Sequence, residues 1–239
     1  LGLTTLMSEK YHNGSHWFAA HFTPIIYLTY VPVFSIFPSP YVLPISQTFF
    51  ILSSLIPLWL ISRIYLNENL SRLYISCFLF YPTIFYMNLY SIAYLEISIP
   101  LLLWLFYFLE RKNNLLFLIF LILSLMTREE ISFITCFVGI YILFKKRYIL
   151  GLSTILISIT YYYFVISIIM PSYRVENYSE HVSFEQFFKL WGADTFFEMI
   201  KIIFFNPINS LKTIFIPDKI GNYKILLMPL LFLPIFSFL

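Results

Sequence analysis

The stretch LLFLIFLILSLMTREEISFITCFVGIYILF, residues 115–144, decides how this chain folds. Three adjacent ionisable residues, Arg128, Glu129 and Glu130, interrupt a run that is otherwise apolar. A membrane span needs roughly 20 residues, whereas the apolar halves on either side of the triplet have only about 12 to 14. The triplet is therefore predicted to lie below the membrane surface, where costly charges face a polar cavity and one another. A buried active site is the leading interpretation.

The composition identifies the class of protein. Hydrophobic residues make up 60% of the 239 residues, charged residues only 11%, and the mean hydropathy is +0.82. These values are typical of an integral membrane protein rather than a soluble domain. The apolar runs are continuous and do not alternate with polar residues, which favours helices over a barrel. The net charge of +3 gives no support for a nucleic-acid partner.

The apolar segments predict an all-α, polytopic transmembrane bundle of about eight membrane helices. They occupy residues 42–62, 72–89, 92–109, 114–126, 131–144, 148–170, 196–206 and 223–239. A further segment, 22–37, is short and broken by Pro24 and Pro32, so we expect an interfacial or re-entrant helix there. The whole chain, 1–239, is expected to be a single transmembrane domain and a fragment of a longer protein, because it stops inside an apolar run.

The basic residues predict the orientation of these helices. Lys and Arg are concentrated in the breaks at 63–72, 111–112 and 145–147, which the positive-inside rule places in the cytoplasm. Residues 90–96, 127–130 and 171–195 are then extracytoplasmic, and residues 1–41 form an extracytoplasmic loop with its interfacial helix. We expect an integral protein of the plasma membrane in contact with the lipid bilayer.

Several motifs resemble the predicted membrane proteins called domain of unknown function 2079. The most specific is HFTPIIYL at residues 21–28, followed by the PSP of residues 38–40 and by Gln47. The resemblance continues through the REE triplet and covers nearly the whole chain; its other matching motifs are Asn88-Leu89-Tyr90, Pro100, Leu109-Glu110-Arg111, Gly139-Ile140-Tyr141, Gly192, Asn206-Pro207 and the segment from Pro229 to Pro234.

The resemblance implies a fold of the GT-C type, in which many transmembrane helices surround a large extracytoplasmic cavity. Enzymes of that type with a known activity transfer a sugar from a polyprenyl-phosphate carrier to an acceptor outside the cytoplasm. Two departures stand out. The family's Asp before a Leu-Gly pair falls upstream of Leu1, and Ser91 and Ala93 occupy positions where the family has Asp and His.

Transfer of this kind needs a carboxylate to take the acceptor proton and cationic groups to stabilise the departing phosphate. Arg128 is the candidate phosphate ligand, since a guanidinium binds phosphate bidentately. Glu129 or Glu130 would hold Arg128, ligate Mg²⁺ or Mn²⁺, or act as the base. Glu96 is a further candidate carboxylate, and His21 a candidate ligand at the cavity mouth. The alternative is a structural ion pair between Arg128 and one glutamate.

Two other functions stay open at this point. A transporter or lipid flippase also buries arginine and glutamate near a substrate path, although no internal repeat is visible. A catalytically inert membrane partner is favoured by Ser91 and Ala93. The expected activity is therefore glycosyl transfer, with these two alternatives beside it.

Overall fold

The computed structural model describes residues 17–89, 94–173, 189, 191–193, 196–214 and 221. No β-strand occurs among these residues, so the all-α prediction is confirmed for them. Short 3-10 turns occur at Trp17–Ala19, Pro24–Tyr27 and Leu95–Ile97. The described helices are α1 (Tyr30–Ile36), α2 (Val42–Ser53), α3 (Leu55–Tyr65), α4 (Glu68–Leu79), α5 (Pro82–Leu89), α6 (Ser98–Glu110), α7 (Asn114–Leu125), α8 (Ile131–Phe144), α9 (Tyr148–Phe164), α10 (Phe196–Phe205) and α11 (Pro207–Ile214).

The chain divides into two compact units. The first contains residues 1–80 and 84–176, and the second contains 81–83 and 177–239. In the second unit, α10 and α11 meet at Asn206, whose carbonyl accepts a hydrogen bond from the Ser210 hydroxyl at 3.1 Å. Every residue of the candidate site lies in the first unit.

Two helical stretches in the described part of the chain are long and apolar enough to cross a membrane. They are Val42–Tyr65, which joins α2 to α3, and Tyr148–Ser172, in which α9 continues through a π-helical turn at Val165–Ile169. The apolar segment 72–89 is divided between α4, which ends at Leu79, and α5, which begins at Pro82. Proline disfavours helical backbone at the residue before it and lacks the N–H that would continue the ladder.

Helices α7 and α8 form the short pair that the interrupted run predicts. They have 12 and 14 residues and are joined by the turn at 126–130, which contains the triplet. The turns before α7 and before α9 are alike, with Lys112 and Lys146 both at left-handed φ, 58° and 61°. Arg147 donates to the carbonyl of Leu109 at 3.1 Å. The two basic turns therefore lie at one end of these hairpins and the triplet at the other, in agreement with the charge-based orientation.

Helices α8 and α9 approach closely at two glycines. A Cβ on Gly139 would lie 2.6 Å from Cγ1 of Ile155, and one on Gly151 would lie 2.6 Å from Cδ2 of Leu143. One turn nearer the triplet, the hydroxyls of Thr135 and Ser158 are 2.8 Å apart. Small residues and hydroxyl pairs of this kind hold helices together where lipid offers no hydrophobic driving force. The contact fixes the start of α8, directly after Glu130.

Candidate functional site

The motif at residues 21–28 docks on the turn that carries the triplet. The Ile25 N–H donates to the carbonyl of Met126 at 3.1 Å, and the Phe22 N–H donates to Oε2 of Glu129 at 3.0 Å. Pro24 begins a 3-10 turn, where its missing N–H costs nothing. Backbone hydrogen bonds therefore hold this segment against the triplet across about a hundred residues of sequence.

Apolar packing supports the docked segment. The buried side chains around it are Phe18, Ile25, Ile26, Tyr30, Tyr94 and Ile97, with Leu123 and Met126 of α7 and its turn packed against them. Burying a side chain of this size away from water contributes about 1.5–3 kcal/mol where the alternative is exposure. The segment is thus part of a core and is rigidly placed beside the triplet.

His21 joins two residues of the triplet. Its Nδ1 lies 2.9 Å from Oε1 of Glu129, and its Nε2 lies 2.9 Å from Nη2 of Arg128. In a neutral imidazole, an N–H at Nδ1 donates to the carboxylate. Nη2 of Arg128 also lies 3.0 Å from Nδ1, so the guanidinium meets the ring between its two nitrogens rather than along one lone pair. Glu129 is fully buried, and both its oxygens are bonded, one to His21 and one to Phe22. Glu129 therefore holds His21 and the backbone of Phe22 in place.

Arg128 and Glu130 form the more accessible half of the site. The Nε of Arg128 lies 2.9 Å from Oε2 of Glu130, yet this buried N–H makes no hydrogen bond, so the ion pair is close but poorly aligned. The side chain of Arg128 is 17% exposed and that of Glu130 is 42% exposed. A misaligned ion pair contributes little stabilisation, so little free energy is lost when the guanidinium turns to another anion. The pair is accessible to a ligand, whereas Glu129 is not.

Trp17 positions the imidazole from its other side. Its indole N–H donates to the hydroxyl of Thr23 at 3.1 Å, and its ring lies 5.4 Å from the ring of His21. Tyr94 meets the same indole edge-on, with ring centroids 6.2 Å apart. These contacts restrict His21 to an orientation in which it reaches both Arg128 and Glu129.

Glu96 has different partners. Its carboxylate is buried and accepts a 2.5 Å hydrogen bond from the hydroxyl of Tyr30. It lies in the 3-10 turn Leu95–Ile97 before α6, outside the two helices that are long enough to span a membrane. Burial raises the pKa of Glu96, and the hydrogen bond from Tyr30 offsets part of that rise. The ring of Tyr94 lies 5.2 Å from that of Tyr30 and connects this pair to Trp17.

The structure thus brings together four of the five residues expected at the site, His21, Arg128, Glu129 and Glu130. Sequence reasoning missed the backbone of Phe22 and the side chains of Trp17 and Tyr30. Their only signal was proximity to the HFTP motif, because aromatic residues are frequent throughout this chain. Residues 90–93 and nearly all of the expected loop 171–195 lie outside the described residues.

Three side chains of the site have the chemistry of metal ligands. One ligand atom each from His21, Glu129 and Glu130 lies within 4.8 Å of the others. Imidazole and carboxylate donors together bind divalent ions such as Mn²⁺ or Zn²⁺.

An apolar cavity of about 320 Å³ lies beside the docked segment. Its lining includes Ile25, Leu28, Phe50, Leu101, Trp104 and Leu123. Ile25 connects the cavity to the site, since its N–H binds the carbonyl of Met126, two residues before Arg128. A cavity with this lining suits a hydrocarbon chain rather than a polar ligand.

A comparison with protein families gives one match. The family described as predicted membrane protein (DUF2079) matches residues 4–239, nearly the whole chain. No curated protein and no solved structure matches the chain.

Proposed function

We propose that this chain, which belongs to the family of predicted membrane proteins DUF2079, is a membrane glycosyltransferase of the GT-C type. It transfers a sugar from a polyprenyl-phosphate donor on the extracytoplasmic side. The proposal includes the plasma membrane as its location and the bundle of about eight spans, with residues 1–41 and 171–195 outside the cytoplasm.

The arrangement of Arg128 and Glu130 supports this proposal most strongly. A cation and a carboxylate are held together at the end of the hairpins opposite the basic turns, and both are partly accessible. A motif from more than a hundred residues away is docked on the adjacent Glu129, and its His21 contacts Arg128. Intramembrane ionisable residues are costly, so such an arrangement indicates a functional site.

The reaction divides between these two residues. The bond between the anomeric carbon and the phosphate oxygen breaks, and its electron pair leaves with the phosphate. Arg128 binds the departing phosphate, whose charge the guanidinium matches with two parallel N–H groups. The acceptor hydroxyl oxygen bonds to the anomeric carbon, and its proton passes to the carboxylate of Glu130. Glu130 is assigned this role because it is the more exposed of the two adjacent glutamates.

His21 and Glu129 position Arg128 in this scheme. Glu129 orients the imidazole, and the imidazole holds the guanidinium within 3.0 Å until the guanidinium turns to the phosphate. Glu96 is assigned a structural role, because its carboxylate is only 1% exposed and is bonded to Tyr30. A catalytic acid or base must reach the substrate, and the packing around the carboxylate of Glu96 leaves no room for that contact.

The apolar cavity supports a lipid-linked donor. The polyprenyl chain of such a donor is hydrocarbon, and the cavity beside Ile25 has an apolar lining. The same residue contacts the turn that carries Arg128. A donor with its phosphate at Arg128 would find an apolar surface for its first isoprenoid units close by.

The experiment that tests the proposal follows a labelled sugar. Membranes containing the full-length protein are incubated with a polyprenyl-phosphate donor that carries a radiolabelled sugar, and loss of label from the carrier lipid is measured. We expect Glu130→Gln to reduce the rate at least a hundredfold, consistent with the usual contribution of a general base. Glu68→Gln is the matched control, since Glu68 is an exposed glutamate paired with an arginine on α4.

The outcomes separate the candidates. Transfer that depends on Glu130 and not on Glu68 supports the enzyme. Loss of label that Glu130→Gln leaves unchanged contradicts the assigned role. Appearance of intact labelled donor on the opposite face of sealed vesicles would instead support a flippase, and no reaction with any donor tested would favour the inert partner.

A further inference from the structure

We propose that His21, Glu129 and Glu130 bind a transition-metal dication, with Mn²⁺ as the probe, and that Arg128 must leave the imidazole for the ion to enter. The site deepens the proposed function, on which its biological use rests. Its cation binding is nevertheless measured without any sugar donor, so the two proposals can fail separately.

The spacing of the ligand atoms fits an ion. Nδ1 of His21 and Oε1 of Glu129 are 2.9 Å apart. Two ligands at right angles, each about 2.1 Å from one ion, are separated by about 3.0 Å. The ligand atoms of all three residues lie within 4.8 Å of one another. Opposite ligands of such an ion are about 4.2 Å apart, so the largest adjustment falls on the half-exposed Glu130.

The ligands are also supported as metal ligands usually are. The Phe22 N–H holds one oxygen of Glu129 and leaves the other toward His21. The indole of Trp17 packs against the imidazole at 5.4 Å. Such outer contacts fix the orientation of ligands and are typical of metal sites. The buried carboxylate of Glu129 is thereby held with Oε1 beside the imidazole nitrogen that would share the ion.

Charge supports the same conclusion. With a neutral imidazole, Arg128, Glu129 and Glu130 together carry a net charge of −1, and Glu129 is fully buried. A dication changes the net charge to +1, which suits a phosphate diester of charge −1. One imidazole with two carboxylates favours Mn²⁺ or Zn²⁺ over Ca²⁺ and Mg²⁺, which prefer oxygen ligands.

Arg128 and the metal ion compete for the same atoms. Nη2 of Arg128 lies within 3.0 Å of both ring nitrogens of His21, and Nε lies 2.9 Å from Glu130. The ion must displace the guanidinium, which is then available to a phosphate. The imidazole proton moves from Nδ1 to the vacated Nε2, so that Nδ1 can bind the ion. Replacing Arg128 should consequently strengthen metal binding, although it removes a cation ligand of the donor phosphate. A phosphate anion should strengthen metal binding in the wild type, and the metal should strengthen phosphate binding by the same factor.

The test measures Mn²⁺ binding by the full-length protein in lipid nanodiscs, from the loss of the free Mn²⁺ signal in electron paramagnetic resonance. We expect one bound ion per chain, with at least tenfold weaker binding in His21→Ala and in Glu130→Gln. Arg128→Gln should bind several-fold more tightly than wild type, and Glu68→Gln, the exposed carboxylate of α4, should match wild type.

Each outcome decides the question. Glu130→Gln keeps the test valid if His21→Ala fails to fold, because the side chain of Glu130 is 42% exposed and the substitution keeps its size. Absence of Mn²⁺ binding in both wild type and Arg128→Gln overturns the site, as does wild-type affinity in Glu130→Gln. Weaker binding in Arg128→Gln overturns the displacement. Metal binding without sugar transfer would refute the proposed enzyme and leave the metal site standing.

Discussion

His21 and Glu129, which are 108 positions apart in the sequence, meet at 2.9 Å between Nδ1 and Oε1. The contact places an imidazole from the HFTP motif on a carboxylate of the charged triplet. Glu129 has no exposure to solvent, whereas its neighbour Glu130 is 42% exposed. One pair of adjacent glutamates is thereby divided into a positioning residue and an accessible one.

Replacing Glu129 should loosen the docked motif. Glu129→Ala leaves the buried N–H of Phe22 without its acceptor, at a cost of about 1–3 kcal/mol in the free energy of unfolding. Thermal unfolding in detergent, followed by tryptophan fluorescence, measures the loss, and Trp17 reports locally because its ring lies on His21. The control Glu68→Ala removes an exposed pair and should change the free energy by less than about 0.5 kcal/mol. Equal effects of the two substitutions would contradict the role given to Glu129.

Glu96 should make stability depend on pH. Because burial raises its pKa above the ordinary 4.5, the folded chain holds the proton more tightly than the unfolded chain does. The stability that Glu96 contributes is therefore complete below pH 4.5 and is lost as the pH rises through the raised value. Glu96→Gln keeps an acceptor for the hydroxyl of Tyr30 and carries no charge, so it should be more stable than wild type above that window.

The measurement is the unfolding midpoint of both proteins between about pH 4 and about pH 8. The two curves should converge at the acid end and separate at the neutral end. A Glu96→Gln variant that is less stable than wild type at neutral pH would show that the buried carboxylate is stabilised as an anion. The same variant should keep sugar transfer, in contrast to Glu130→Gln.

The glycine contact between α8 and α9 should be intolerant of larger residues. In Gly139→Leu, the new Cβ would lie 2.6 Å from Cγ1 of Ile155 and 3.1 Å from the carbonyl of Gly151, so the helices must separate. Overpacking of this kind costs about 1–3 kcal/mol. Unfolding in detergent checks the loss, with Leu156→Ala as a control because Leu156 is 67% exposed on the neighbouring helix. Unchanged stability of Gly139→Leu would show that the two helices are not held at this distance.

The sequence was sufficient for the features that depend on local pattern. The interruption of residues 115–144 by three charges predicts two short helices with a polar turn, and α7 and α8 have those bounds within a residue. The basic residues predict that the turns at 111–112 and 145–147 share an end, and the hydrogen bond from Arg147 to Leu109 shows it. Length and charge alone determine both features.

The sequence alone could not predict which glutamate of the triplet is buried and which is accessible. Glu129 and Glu130 are adjacent and chemically identical, and only the docking of Phe22 and His21 buries one and exposes the other. The pairing of Glu96 with Tyr30 likewise depends on a contact across 66 positions. The helix break at Pro82, by contrast, is indicated by the proline itself.

Photo-crosslinking shows whether Arg128 binds the phosphate of a lipid-linked sugar. The full-length protein is irradiated with a photoactivatable polyprenyl-phosphate sugar, and capture is compared among wild type, Arg128→Ala and Arg72→Ala. Arg72 is the matched control, an exposed arginine paired with a glutamate on α4. We expect capture close to the triplet in wild type and in Arg72→Ala, and a loss of at least tenfold in Arg128→Ala. If Arg128→Ala leaves capture unchanged, Arg128 does not bind the donor phosphate and the triplet is a structural ion pair.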